Sequence, residues 1–151
     1  MLGASIGAHA VCPSTPTASR FNFNAAGDEV TDSKTGLVWA RCSVGQTWSG
    51  SACTGSASAH THEQALQLAR AAGGWRLPNV KELSSLADKG CQNPAIDSTA
   101  FPSTPSNKYW SSSPYVDDAY RAWGVGFDFG QVGEWGDRYG IYSVRLVRTS
   151  Q

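Results

Sequence analysis

THEQALQLARAAGGWRLPNVKELSSL, residues 61–86, contains two helix starts of the same design, and its reading decides the fold class. Thr61-His62-Glu63-Gln64 fits a capping box, in which the Thr61 side chain accepts from the backbone N–H that Gln64 presents. Ala65, Leu66, Leu68 and Ala69 then lay an apolar stripe along a helix that Gly73-Gly74 ends. After Trp75-Arg76-Leu77-Pro78 comes a second box, Asn79-Val80-Lys81-Glu82. Val80, Leu83 and Leu86 follow it at helical spacing and stop near Asp88-Lys89-Gly90.

Working outward, the flanks read as strands and loops. Upstream, Glu29-Val30-Thr31 and Leu37-Val38-Trp39 are short β-favouring runs between turn signals, Ala26-Gly27-Asp28 and Asp32-Ser33-Lys34-Thr35-Gly36. Downstream, residues 91–107 are Pro- and Ser-rich and read as a long loop. Beyond Tyr109 the period becomes two. Trp123, Val125, Phe127 and Phe129 alternate with Gly124, Gly126 and Asp128, a strand with one buried face. Residues 130–140 read as a polar, glycine-punctuated loop. A final strand has Tyr142, Val144 and Leu146 alternating with Ser143, Arg145 and Val147. Strands, two helices, a loop and strands again make an α+β domain: two helices on a small twisted antiparallel sheet with long loops, its first and last strands paired.

Composition narrows the function. Twelve basic residues balance twelve acidic ones with no like-charge block, which argues against a nucleic-acid partner or a polybasic membrane contact. No apolar run approaches the ~18–20 residues of a membrane span. Sixteen Gly, six Trp and five Tyr with 16% charged residues describe a loop-rich, aromatic-rich binding domain. Residues 1–20 read as an extended arm or signal remnant, and residues 21–151 as a single domain.

Four cysteines point to an oxidising compartment. Cys42 and Cys53 flank a Gly/Ser-rich loop that a disulfide would clamp, leaving Cys12 and Cys91 to pair. That is the most economical of three connectivities. The spacing, even with His60 and His62 nearby, matches zinc sites poorly.

Most chemical motifs have a plainer reading. Trp110-Ser111-Ser112-Ser113 offers hydroxyls with no His downstream, so they are read as turn ties. His60, His62 and Glu63 lack companions at ligand spacing, and His62 is read as an exposed first-turn residue. Asp117, Asp118, Asp128, Glu134 and Asp137 suggest calcium, which needs about six to eight oxygens. A lectin-type sugar site also adds an acid-Pro-Asn element, and Gln92-Asn93-Pro94 has the order wrong. Nothing fixes a carboxylate separation for glycoside hydrolysis. Trp39, Trp110, Trp123 and Phe127 are core candidates, and Trp75 and Arg76 are packing residues, with Arg76 bonded to carbonyls or an acid. Tyr115, Tyr120, Trp135, Arg138 and Tyr139 lie among Gly and Asp residues that cannot bury them all, and read as recognition residues.

Gly27-Asp28-Glu29-Val30-Thr31-Asp32 with Thr35-Gly36-Leu37-Val38-Trp39 resembles the opening of the Lcl C-terminal domain family. Residues 75–83 (WRLPNVKEL), 109–113 (YWSSS), 123–127 (WGVGF) and 144–148 (VRLVR) match its later motifs in order. The resemblance implies a C-type lectin-like fold in a secreted or surface-exposed bacterial or phage protein. The adhesin that names the family binds sulfated glycosaminoglycans through a basic surface, from which this neutral chain departs. The fold also resembles the formylglycine-generating oxidase, whose chemistry needs paired cysteines near the C-terminus. The last cysteine here is Cys91, so no activity carries over.

The chain is similar, too, to the variable proteins of diversity-generating retroelements, whose C-terminal codons are mutated at template adenines ahead of a Val-Arg-Leu-Val-Arg-like strand. That similarity implies a ligand-binding set of Tyr115, Asp117, Asp118, Tyr120, Arg121, Gly124, Gly126, Asp128, Gln131, Glu134, Trp135, Asp137, Arg138 and Tyr139. The expectation is an extracytoplasmic binding protein without catalysis, cofactor or metal, facing a protein or glycan on another surface. An invariant adhesin is the alternative.

Overall fold

The computed structural model describes residues 20–135 and 137–150. The chain is α+β, with strands β1 (Phe21–Phe23), β2 (Glu29–Asp32), β3 (Leu37–Ala40), β4 (Thr47–Trp48) and β5 (Cys53–Thr54). Helices α1 (His62–Ala71) and α2 (Val80–Ser84) follow, then β6 (Lys108–Pro114), β7 (Ala122–Gly126), β8 (Gln131–Trp135) and β9 (Val147–Thr149).

The first sheet is antiparallel with order β1-β2-β3-β9. Its β2–β3 turn forms because the buried Asp32 carboxylate accepts from the Lys34 N–H and the Thr35 hydroxyl, while Gly36 takes φ 77°. The last strand pairs with β3, Trp39 opposite Val147, and not with the first strand as the sequence led us to expect. The second sheet has order β6-β7-β8. Here β8 occupies residues expected to be loop. It is an edge strand with β7 as its neighbour, so its side chains need not alternate in burial, and Gln131-Val132-Gly133-Glu134 has no strand signature.

Both capping boxes form as expected. Thr61 Oγ1 accepts from Gln64 N–H, and Asn79 Oδ1 accepts from Glu82 N–H at 2.8 Å. Helix α2 is shorter than its apolar spacing suggests, yet Leu83 and Leu86 are both buried. Glu82 also returns a bond to Asn79 N–H and forms a bidentate pair with Arg76 at 2.7 Å. With only five helical residues, α2 depends heavily on this cap. Asn79→Ala is expected to cost about 1 kcal/mol in urea unfolding, several times what the exposed Lys34→Ala would cost.

The sequence motifs bond to one another. Ser112 N–H donates to Pro78 O at 2.7 Å, and Val80 N–H to Ser113 Oγ at 2.9 Å. Arg76 and Val147 exchange backbone bonds, and Arg148 forks onto Glu29. The motifs therefore build the frame.

Two apolar clusters fill it. One joins the first sheet, α2 and the second sheet through Trp39, Leu83, Phe101, Tyr109, Val125 and Phe127. The other packs α1 against the second sheet through Ala65, Ala69, Leu77, Trp110, Ala122 and Val144. Trp123, expected in the core, is only half-buried, its ring packed on Tyr115, and Phe129 is exposed because the strand ends at Gly126.

Residues 142–146 were expected to alternate inward and outward in a final strand. Instead they make isolated bridges to His60 and Tyr109, and Ser143, Val144 and Arg145 are all buried. Arg145 is 0% exposed, its guanidinium donating to Ala40 O, Arg41 O, Ser43 Oγ and Thr104 Oγ1 while lying 4.8 Å over the Phe101 ring. Its Nε has no hydrogen-bond partner among the described residues, and burial pulls its pKa below the ordinary arginine value.

Cys42 and Cys53 are bonded as expected, closing the loop that carries β4 and β5. Cys91 is also disulfide-bonded, and the partner expected for it, Cys12, lies outside the described residues. Among the described residues no helix is long and apolar enough to cross a membrane.

Candidate functional site: a cleft between the first helix and two aspartate turns

The same short device appears twice near the C-terminus. Asp118 Oδ1 accepts from Tyr120 N–H at 2.9 Å, and Asp137 Oδ1 accepts from Tyr139 N–H at 2.9 Å. Each Asp-x-Tyr turn closes on its own aspartate and throws its tyrosine outward. Tyr120 is 65% exposed and Tyr139 72%. The turns are stitched together by Arg138, whose backbone N–H donates to Tyr120 O at 2.8 Å and whose Nε donates to Arg121 O at 3.1 Å.

Opposite them stands α1. A cleft of about 380 Å³ opens between the helix and the turns, lined by Glu63, Gln67 and Arg70 on one side and by Tyr120, Arg138 and Tyr139 on the other. Glu63, Gln67 and Arg70 are spaced i, i+4 and i+7, on a helix face turned away from the buried Ala65 and Ala69. Sequence reasoning missed this wall. Its signal was the polar stripe, which looked like any solvated helix face.

His62, expected to be exposed, lies buried at the floor of the cleft. Its Nε2–H donates to Ser111 O at 2.9 Å, its ring meets Trp110 edge-on at 5.0 Å, and its backbone N–H donates to Arg138 O. Helical spacing accounts for this: His62 precedes the buried Ala65 and Ala69 by three and seven residues, on the same helix face. Burial first, and the Arg138 charge second, push the His62 pKa below its ordinary value despite the Ser111 bond. Above a pH of about 6.5, folded and unfolded chains both carry a neutral imidazole, so stability is unaffected. Below that pH the unfolded chain takes up a proton that the folded one resists, and stability falls. Asp32 and Glu82, whose carboxyls Arg20 and Arg76 hold down, titrate at lower pH. Urea midpoints should therefore fall between about pH 6.5 and 5, and His62→Gln should flatten the profile. A wild-type profile already flat in that window would contradict the assignment.

The other expected residues lie in separate places. Tyr115 packs edge-on against Trp123 at 5.3 Å, and Arg121 bridges Asp118 at 3.3 Å and Glu134 at 3.5 Å. These pairs are about 40% exposed and add little stability. The Glu134 carboxylate, followed by partial burial and Asp117, holds the Tyr115 phenol above its usual pKa. Asp128 lines another cleft of about 400 Å³ with Asn107, Lys108, Ile141 and Tyr142, and Gln131 starts the exposed edge strand. The side chain of Trp135 lies outside the described residues.

Gly124 and Gly126 require correction, because both are buried and offer no contact surface. Gly124 lies between Trp110 and Gly133 across the two ladders, and a Cβ on Gly126 would come 2.7 Å from Asp128 Oδ1.

The serines are structural ties: Ser111 Oγ donates to Trp123 O and Ser113 Oγ accepts from Val80 N–H. Ser58 Oγ lies 2.7 Å from His60 Nε2, a pairing the sequence reading did not foresee, and also donates to Val44 O. No carboxylate among the described residues orients His60. Among the described residues no group of three or more His, Cys, Asp or Glu is placed to hold a metal ion.

The Lcl C-terminal domain family matches residues 28–148. Among curated proteins no match was found.

Proposed function

The chain belongs to the Lcl C-terminal domain family, and from that premise we propose that it is an extracytoplasmic recognition protein without catalytic activity. Its contact surface is the pair of Asp-x-Tyr turns with the residues beside them, and it serves as the variable protein of a diversity-generating retroelement. The observation that carries this reading is the contrast between turns and frame. Tyr120 and Tyr139 are 65% and 72% exposed, yet they stand on turns closed by their own aspartates and locked by Arg138. A preorganised tyrosine exposes large contact area at low entropic cost on binding. The Cys42–Cys53 disulfide supports an oxidising compartment. Exposed positions around the turns (Val116, Asp117, Gln131 and Glu134) can change without disturbing the core.

Sequencing the end of the gene across a population tests the reading. Substitutions should fall on codons for exposed residues between 116 and 141, with a near-identical repeat nearby bearing adenines at those codons. Codons for the buried Ala122, Gly124, Val125 and Gly126 should stay constant. A constant gene end with no repeat would defeat the variable-protein reading and favour an invariant adhesin.

A further inference from the structure

We propose that the cleft between α1 and the Asp-x-Tyr turns receives an acidic side chain of a protein partner, with α1 as its fixed wall. This rests on the recognition reading above and adds the chemistry of what is recognised.

The arginines carry the argument. Arg20, Arg76 and Arg148 are each forked onto a carboxylate, and Arg121 bridges two. Arg41 spends its guanidinium on the carbonyls of Gly27, Thr99 and Ala100, and Arg145 is sealed in the core. Arg70 and Arg138 remain. Neither makes an ion pair among the described residues, and only Nε of Arg138 is bonded, to Arg121 O. These two guanidinium groups line the same cleft. Against them stands one lining carboxylate, Glu63, while His62 on the floor is kept neutral by burial and uses its Nε2–H on Ser111 O. In a chain of zero net charge, the cleft is thus a local positive site with unused donors. A carboxylate matches a guanidinium fork in geometry and charge.

The rim decides the kind of partner. Tyr120 and Tyr139 flank the opening, and the half-buried Leu66 and the exposed Ala119 line it between them and the charged groups. Aliphatic side chains beside tyrosines and arginines suit a protein surface, where apolar anchors surround a charged contact. A polyhydroxylated sugar has little use for them.

The test pans a phage-displayed random dodecapeptide library against the immobilised full chain. Enriched peptides should share an Asp or Glu beside an aromatic or aliphatic residue. Arg70→Ala should weaken them at least tenfold, as should the Asn or Gln version of the peptide, and raised salt should weaken binding further. The Arg70 side chain makes no hydrogen bond or ion pair with another described residue, so its variant keeps the fold, and Lys34→Ala should bind as the wild type does. Peptides that bind equally to Arg70→Ala but are lost with Tyr139→Ala would overturn the acidic-cleft assignment and leave the recognition surface standing. A library yielding no enriched peptide would overturn it as well. A glycan-array signal abolished by Tyr120→Ala would then show that the surface recognises sugar instead.

Discussion

Replacing Arg145 with methionine will cost about 3–5 kcal/mol, because buried acceptors lose a charged donor they cannot replace. A buried ion pair can often be exchanged for apolar side chains, since both partners leave together. Here the principal partners are the backbone carbonyls of Ala40 and Arg41, which stay whatever residue 145 becomes. Ser43 keeps its bond to the Tyr109 hydroxyl, and Thr104 its bond to Phe101 O, so those two suffer less. The guanidinium also fills the space over the Phe101 ring, where methionine packs without donating. Arg145→Lys will recover less than half of the loss, because one ammonium cannot span Ala40–Arg41 and Thr104 together. Domains of this kind typically have about 5–15 kcal/mol in total, so the methionine variant should unfold at a much lower urea midpoint with an unchanged slope. A shift under 1 kcal/mol would show that the buried cation is dispensable.

Removing the Cys42–Cys53 bond as a Ser/Ser double variant will cost about 3 kcal/mol, the chain-entropy value for a loop of this size. That corresponds to a drop of roughly 6–12 °C in Tm for a chain of this length. The loss should not stay local. The closed loop holds Trp48, whose Nε1–H donates to Ala26 O and whose ring lies 4.5 Å from the Arg41 guanidinium. Arg41 in turn ties Gly27 to Thr99 and Ala100, so the clamp joins the β1–β2 turn to the segment before β6. Calorimetry of the double variant should show the lowered Tm with cooperativity retained. A change below about 2 °C would mean that the loop is held by Trp48 and Arg41 alone.

What was legible in the sequence was the chemistry settled within a few residues. Both helix starts were, because a capping box needs only four consecutive residues. The Cys42–Cys53 clamp and the outward placing of Tyr120 and Tyr139 were similarly local. Features set by distant neighbours were not. Alternation assigned Arg145 to the outside, since nothing near it announces the carbonyls of Ala40 and Arg41. Gly124 and Gly126 sat in a plausible binding stretch, but whether a glycine is reachable depends on what lies across the ladders. The fixed wall of the cleft went unseen because Glu63, Gln67 and Arg70 differ from an ordinary polar helix face only in what stands opposite.

The central claim is that a self-sufficient frame carries a contact surface free to change. A phage library with Val116, Asp117, Tyr120, Gln131, Glu134 and Tyr139 randomised together tests it most directly, scored by survival of limited proteolysis without any ligand. Most members should resist protease as the parent does, whereas a matched library randomised at Gly124, Gly126, Arg145 and Trp39 should be nearly eliminated. If the surface library were lost as completely as the frame library, those residues would be holding the fold, and a replaceable recognition surface would be excluded.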